Sequence, residues 1–212
     1  MLLKEEEYQY ALKQMEGAAE PDGIFAGMKK WFRERYALDV YGCFCDQTAD
    51  GRFRLRILLW NRDCRKALMK GPNPDGKKQR KIAEEFSRLC RKYQTRTRYQ
   101  EPGRFLITYD TLEDEIQKRV IRRAERDIAA FQAQDVWKVI PVFHRIHVFF
   151  ENDSQTEVHQ KDGLCEKINC EIGEILRKHD RYGVFQKGVS CIFTSRQTLD
   201  EKYDGNLFYY TR

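Results

Sequence analysis

With 212 residues, 41% of them hydrophobic and 13% aromatic, the chain holds enough apolar material for a real core and lacks the Ser, Pro, Gly or Gln tracts of disordered chains. Its net charge of +6 is unevenly placed: residues 51–99 carry sixteen Lys and Arg against four acids, a local +12 that leaves −6 for the remainder. The opening MLLKEEEYQYALKQ builds no apolar secretory core, no run reaches a membrane span, and seven scattered cysteines suit reduced thiols, so a cytoplasmic location is expected.

Residues 4–16 and 22–36 read as two helices separated by the breaker segment around Pro21. The second sets Ile24, Met28, Trp31, Phe32 and Tyr36 on one side. LDVYGCFCDQ and RFRLRILLW then form a hairpin about Thr48-Ala49-Asp50-Gly51. With a loop of even length, alternation puts Val40, Phe44, Leu55, Ile57 and Leu59 on a core face and Tyr41, Cys43, Cys45, Arg52, Arg54, Arg56 and Trp60 on the outer face. A three-residue loop swaps the partners on the first strand and leaves the arginine row intact. A short helix near 63–70 precedes GPNPDG, and a strong helix over 76–94 buries Ile82, Phe86, Leu89, Cys90 and Tyr93. Its other faces carry Lys77, Lys78, Lys81, Arg88, Arg91 and Lys92.

A strand at 104–110 leads to a helix opened by Thr111-Leu-Glu-Asp114, which has the form of a capping box. Residues 136–150 read as one long strand with Pro141 marking an edge or a bend. A helix to about 180, a strand GVSCIFTS, a short capped helix and a last strand NLFYYT complete the chain. Sliding the chain by 86 residues superposes Lys81-Ile82 on Lys167-Ile168 and Arg91-Lys92 on Arg177-Lys178. One inserted residue later, Thr111-Leu112 meets Thr198-Leu199. The expectation is an α+β fold in a single domain over 1–212, N-terminal helices plus a sheet with helices packed on it, with a pseudo-repeat of 76–115 in 162–201 forming two similar strand-helix-strand modules.

Gly71-Pro-Asn-Pro-Asp-Gly76-Lys77 has P-loop spacing, but Lys78 stands where Ser or Thr holds magnesium and Pro72 and Pro74 remove backbone donors. It reads as a proline-stiffened turn. Neither Cys43/Cys45 nor Cys165/Cys170 has structural-zinc spacing, and no metal or cofactor is expected. Cys43 and Cys45, flanking the arginine row, are expected in a positive field that lowers thiol pKa. His144 reads as a core histidine, His179 as a helix C-terminal residue, and His147 beside Arg145 as the histidine with functional potential.

No motif names a reaction, and an enzyme would need residues distant in sequence to converge. The favoured reading is a non-catalytic interaction protein that shows its basic surface to an acidic protein partner, a profile of the type of intracellular inhibitors and immunity proteins. The alternative is a nucleic-acid binder, for RNA or single-stranded DNA, in which the same cations meet phosphates while Tyr41 or Trp60 stacks on bases. Either way the candidate contacts are Arg52, Arg54, Arg56, Trp60, Tyr41, Lys77, Lys78, Lys81, Arg88, Arg145 and His147. The bland competitor is a solvated face balanced by acids from Glu113-Asp114-Glu115 or the N-terminal helix.

Overall fold

The computed structural model describes residues 3–94, 105–142 and 144–211. The fold is α+β, and the chain divides into two compact units, one ending at Glu115 and the other beginning at Ile116. Among the described residues no helix is long and apolar enough to cross a membrane.

Unit 1 opens with α1 (Glu5–Met15) and α2 (Gly23–Tyr36), followed by the hairpin β1 (Val40–Gln47) and β2 (Phe53–Leu59). Then come α3 (Arg62–Lys66), the small ladder β3 (Met69–Lys70) and β4 (Asn73–Pro74), α4 (Gly76–Lys92) and β5 (Phe105–Thr111). The sheet order is β1-β2-β5, with β1 antiparallel and β5 parallel to β2. Parallel pairing needs a crossover, and α3 and α4 lie in that connection. Met28 and Phe32 of α2 and Ile82 and Phe86 of α4 pack with Leu55, Ile57 and Leu59 of β2 in one buried cluster. A Cβ at Gly27 would lie 2.5 Å from Leu89 Cδ2, so the missing side chain lets α2 and α4 approach closely. Helix α1 buries Tyr8, Ala11 and Leu12, and its Glu7 reaches Arg56 on the side of β2 away from that cluster.

Helix α5 (Leu112–Arg123) carries the chain into unit 2, which continues with α6 (Glu125–Ala129), β6 (Val136–Val142), β7 (Arg145–Phe150), α7 (Asp153–His159) and α8 (Leu164–His179). It ends with β8 (Ile192–Ser195), α9 (Arg196–Tyr203) and α10 (Leu207–Tyr210). Its sheet order, β6-β7-β8, again joins an antiparallel hairpin to a parallel third strand. Pro141 sits on edge strand β6, where a missing donor is tolerated.

Several expected elements take other forms. The long strand 136–150 is a hairpin that turns between Val142 and Arg145, so His144 lies in the turn and not on a core face. The helix expected to reach 180 is two helices broken at Gly163, which has φ +89°. NLFYYT is not a strand: the Asn206 side chain accepts from Phe208 N at 2.9 Å and starts α10. The short helix after β8 is capped by Ser195, whose Oγ accepts from Thr198 N.

The two units share finer detail than strand order. In each hairpin the first strand bulges at an aromatic residue: Val40 faces Leu59 and Gly42 faces Leu58, passing over Tyr41, while Val136 faces Phe150 and Lys138 faces Phe149, passing over Trp137. Each middle strand is followed by one residue and an Asn that caps the next helix, Asn61 accepting from Cys64 N and Asn152 from Gln155 N. Each unit then closes with one more bond, Glu113 N to Trp60 O and Gln197 N to Glu151 O. Counted from the bulges, Arg54 and Arg56 take the positions of Arg145 and His147. Asn61→Ala and Asn152→Ala are each expected to cost about 1 kcal/mol of stability; urea unfolding of the two variants against wild type checks this.

Candidate interaction surface

Arginines at alternate positions of one strand share a face, and a guanidinium taken out of water needs carboxylates. The structure supplies them. Arg54 forms a two-pronged pair with its cross-strand neighbour Asp46, Nε to Oδ1 at 2.7 Å and Nη2 to Oδ2 at 2.6 Å. Arg56, 3% exposed, donates from Nε to Asp110 at 3.2 Å and from Nη1 to Glu7 at 3.2 Å and Asp46 at 3.4 Å. Burial opposes the Arg56 charge, but the bond to Asp110 and the charges of Glu7, Asp110 and Asp46 outweigh it and raise its pKa. Asp46 is correspondingly held below the usual carboxylate range, chiefly by its Arg54 hydrogen bonds. Arg52, at the turn, stays exposed and pairs with Asp50. Arg54 and Arg56 are thus internal, neutralised charges and not the free basic face their spacing suggests, and the acidic N-terminal helix provides part of the balance.

The outer-face assignment changes for β1. Five residues separate Gln47 from Phe53, an odd loop, so Cys43 faces Ile57 and Cys45 faces Leu55 on the core side, while Phe44 faces Arg56. Burial pushes the Cys43 thiol up, the reverse of the activation expected from a positive field. Tyr41 and Trp60 are half-buried and pack on each other, ring centroids 6.1 Å apart.

The basic surface that remains belongs to α4. Asp75 caps its first turn, accepting from Lys77 N and Lys78 N, and these backbone donors hold the Asp75 carboxyl below its usual range. The helix start is therefore already filled by an internal carboxylate, and Gly71-Pro72 turns the β3–β4 ladder as a plain turn. Beside it an open groove of about 580 Å³ runs between α2 and α4, lined by Arg35, Tyr36, Lys77, Lys78 and Lys81, with Glu34 and Asp75. A second depression of about 360 Å³ shares Arg35 and Lys81 and adds Trp31, Glu84, Glu85, Arg88 and Arg91. The Lys77 and Lys81 side chains are exposed and have no ion pair among the described residues. Lys78 Nζ is held by Ala67 O, and Arg88 by Glu85. Tyr36 lines the groove, and its buried hydroxyl has no hydrogen-bond partner among the described residues. Arg35, missed by the sequence reading, lies over the Trp31 ring at 5.7 Å, and its signal was the one-turn spacing to Trp31.

The last two candidates lie in unit 2. Arg145 is exposed on β7, and His147 Nδ1 lies 2.7 Å from Tyr210 Oη; burial, then the Arg145 charge, lower the His147 pKa. The structure therefore gathers Lys77, Lys78, Lys81 and Arg88 along α4 and gathers Arg145 with His147 on β7. His159, which the sequence did not single out, lies buried between Asp162, 2.8 Å from Nδ1, and Asp135, 3.0 Å from Nε2. Among the described residues no group of three or more His, Cys, Asp or Glu side chains is placed to hold a metal. No family model, no curated protein and no solved structure matches the chain.

Replacing Arg56 by Met leaves three carboxylates facing one another and is expected to cost about 3 kcal/mol, against at most about 0.5 kcal/mol for Arg52→Ala; chemical unfolding of the two variants separates these cases. For His159, burial opposes the charge but the bonds to Asp162 and Asp135 outweigh it and raise the pKa. A raised value means this stabilisation is complete below the unfolded pKa of about 6.5 and is lost as pH climbs through the folded value. Urea midpoints from about pH 6 to about pH 9 should fall for wild type more than for His159→Gln.

Proposed function

We propose that this protein is a non-catalytic interaction protein of the cytosol, of the inhibitor or immunity-protein type, that presents the basic α2–α4 face of unit 1 to an acidic protein partner. The observation that carries the reading is the division of charge. The arginines of β2 are consumed by Glu7, Asp46 and Asp110, while Lys77 and Lys81 keep free ammonium groups at the rim of an open groove. Free ammonium groups on a rim steer an acidic partner and raise its association rate. Trp31 beneath Arg35 offers the aromatic and arginine character of interface hot spots. The nucleic-acid alternative has less support, because its arginines are paired internally and its stacking residues, Tyr41 and Trp60, are packed against each other.

A fluorescent polyglutamate peptide and a single-stranded RNA of equal charge serve as probes, titrated across a salt series. The peptide is expected to bind, with Lys77→Glu/Lys81→Glu weakening it about tenfold, or about 1.4 kcal/mol. RNA binding tighter than the peptide's favours the nucleic-acid reading, and no binding of either probe at low salt overturns the proposal.

A further inference from the structure

The repeated topology allows each side chain on β7 to be compared with its equivalent on β2. Arg54 faces Asp46 across the hairpin, and Arg145, at the same place relative to the bulge, faces Val142. Arg56 is equivalent to His147. Asp110, second carboxylate of the unit 1 cluster, corresponds by the pairing of the third strand to Thr194. Unit 2 therefore keeps the guanidinium and replaces both carboxylates of that face by neutral side chains. The consequence is visible in the surroundings: the Arg54 side chain, 19% exposed, is engaged in its pair, whereas the Arg145 side chain is exposed and has no hydrogen bond or ion pair among the described residues.

Other groups face the same place. His147 lies two residues from Arg145 on one strand and so shares its face. Its Nδ1 lies 2.7 Å from Tyr210 Oη, which leaves Nε2 as the nitrogen without a hydrogen-bond partner among the described residues. The Tyr210 ring packs in turn 5.2 Å from the Phe149 ring and 5.3 Å from the Tyr203 ring. A fixed imidazole donor beside an uncompensated guanidinium fork matches the two oxygens of a carboxylate.

We propose that Arg145, His147 and Tyr210 form a carboxylate-receiving site in unit 2, which takes an acidic side chain of the partner protein in the role that Asp46 fills for Arg54 in unit 1. The assignment rests on the acidic-partner reading for the source of the ligand and adds a second contact, on a different unit from the α4 groove. Arg145 supplies the paired N–H donors and the charge, His147 supplies a neutral N–H from Nε2, and Tyr210 holds the imidazole in place.

The test uses the full chain and the same polyglutamate probe with three variants. Arg145→Gln removes the fork at an exposed position. Val142→Asp restores an internal carboxylate opposite Arg145, as Asp46 stands opposite Arg54, and so blocks the site from within. Lys77→Glu/Lys81→Glu disables the unit 1 groove alone. The expected result is a loss of about tenfold in affinity for both Arg145→Gln and Val142→Asp, with unchanged thermal unfolding for Arg145→Gln. His147 side-chain resonances should move on titration of wild type and stay still in Arg145→Gln. If wild type binds the probe and both unit 2 variants bind it equally well, the site is refuted while the α4 surface stands; if wild type binds no probe, both proposals fall.

Discussion

Arg56 sets the terms for unit 1. A guanidinium 3% exposed in the middle strand of a three-stranded sheet cannot remain there without anionic neighbours, because desolvating the charge alone costs several kcal/mol. The neighbours come from three separate elements: Glu7 from α1, Asp46 from β1 and Asp110 from β5. One buried cation thus ties the N-terminal helix to the hairpin and the hairpin to the parallel strand. Glu7 is doubly engaged, since it also accepts from the Lys4 backbone at the start of α1. The opposite face of the same sheet needs no such device, being closed by α2 and α4 around Leu55, Ile57 and Leu59.

That constraint also decides where charge is left for binding. Residues 51–99 look uniformly basic, but Arg54 and Arg56 of the strand are neutralised by internal carboxylates, whereas Lys77 and Lys81 of the helix have no ion pair among the described residues. The balance works without α4, whose Lys77 and Lys81 project from a surface whose inner side is Ile82, Phe86 and Leu89. Unit 2 uses the same topology with another solution: the position of Arg56 holds His147, kept neutral by burial and by the charge of Arg145, and its neighbours are aromatic instead of acidic. An ionic cluster and an aromatic cluster therefore occupy matching places on two sheets of one design.

The elements with strong local signals were legible: α1, α2 and α4 from their periodicity and breakers, and the first hairpin from its Asp-Gly turn. The arginine row was legible as a row. Its burial was not, since two of the three carboxylates around Arg56 lie 49 and 54 residues away and alternation cannot show which face another element covers. The odd loop moved Cys43 and Cys45 to the core side and the bulge at Tyr41 returned Val40 to it, changes of parity that single-strand reasoning cannot locate. The run 136–150 concealed a hairpin because its tight turn carries neither Gly nor Asn, and NLFYYT, strand-like by composition, was overridden by the Asn206 cap. At the 86-residue offset read from the sequence, Ile82, Phe86 and Cys90 of α4 match Ile168, Ile172 and Leu176 of α8 in burial. The matching strands of the two sheets run at other offsets, so their likeness was not legible at that one.

The most direct test of this division of charge is residue-resolved chemical modification of the native protein, with phenylglyoxal for arginines and acetylation for lysines, read by mass spectrometry. The account predicts that Arg54 and Arg56 stay protected until the protein unfolds, while Arg145, Lys77 and Lys81 react as fast as in a free peptide. Modification of Arg54 and Arg56 at the rate of exposed Arg52 would contradict it, because the arginine row would then be a surface and not the internal tie of unit 1.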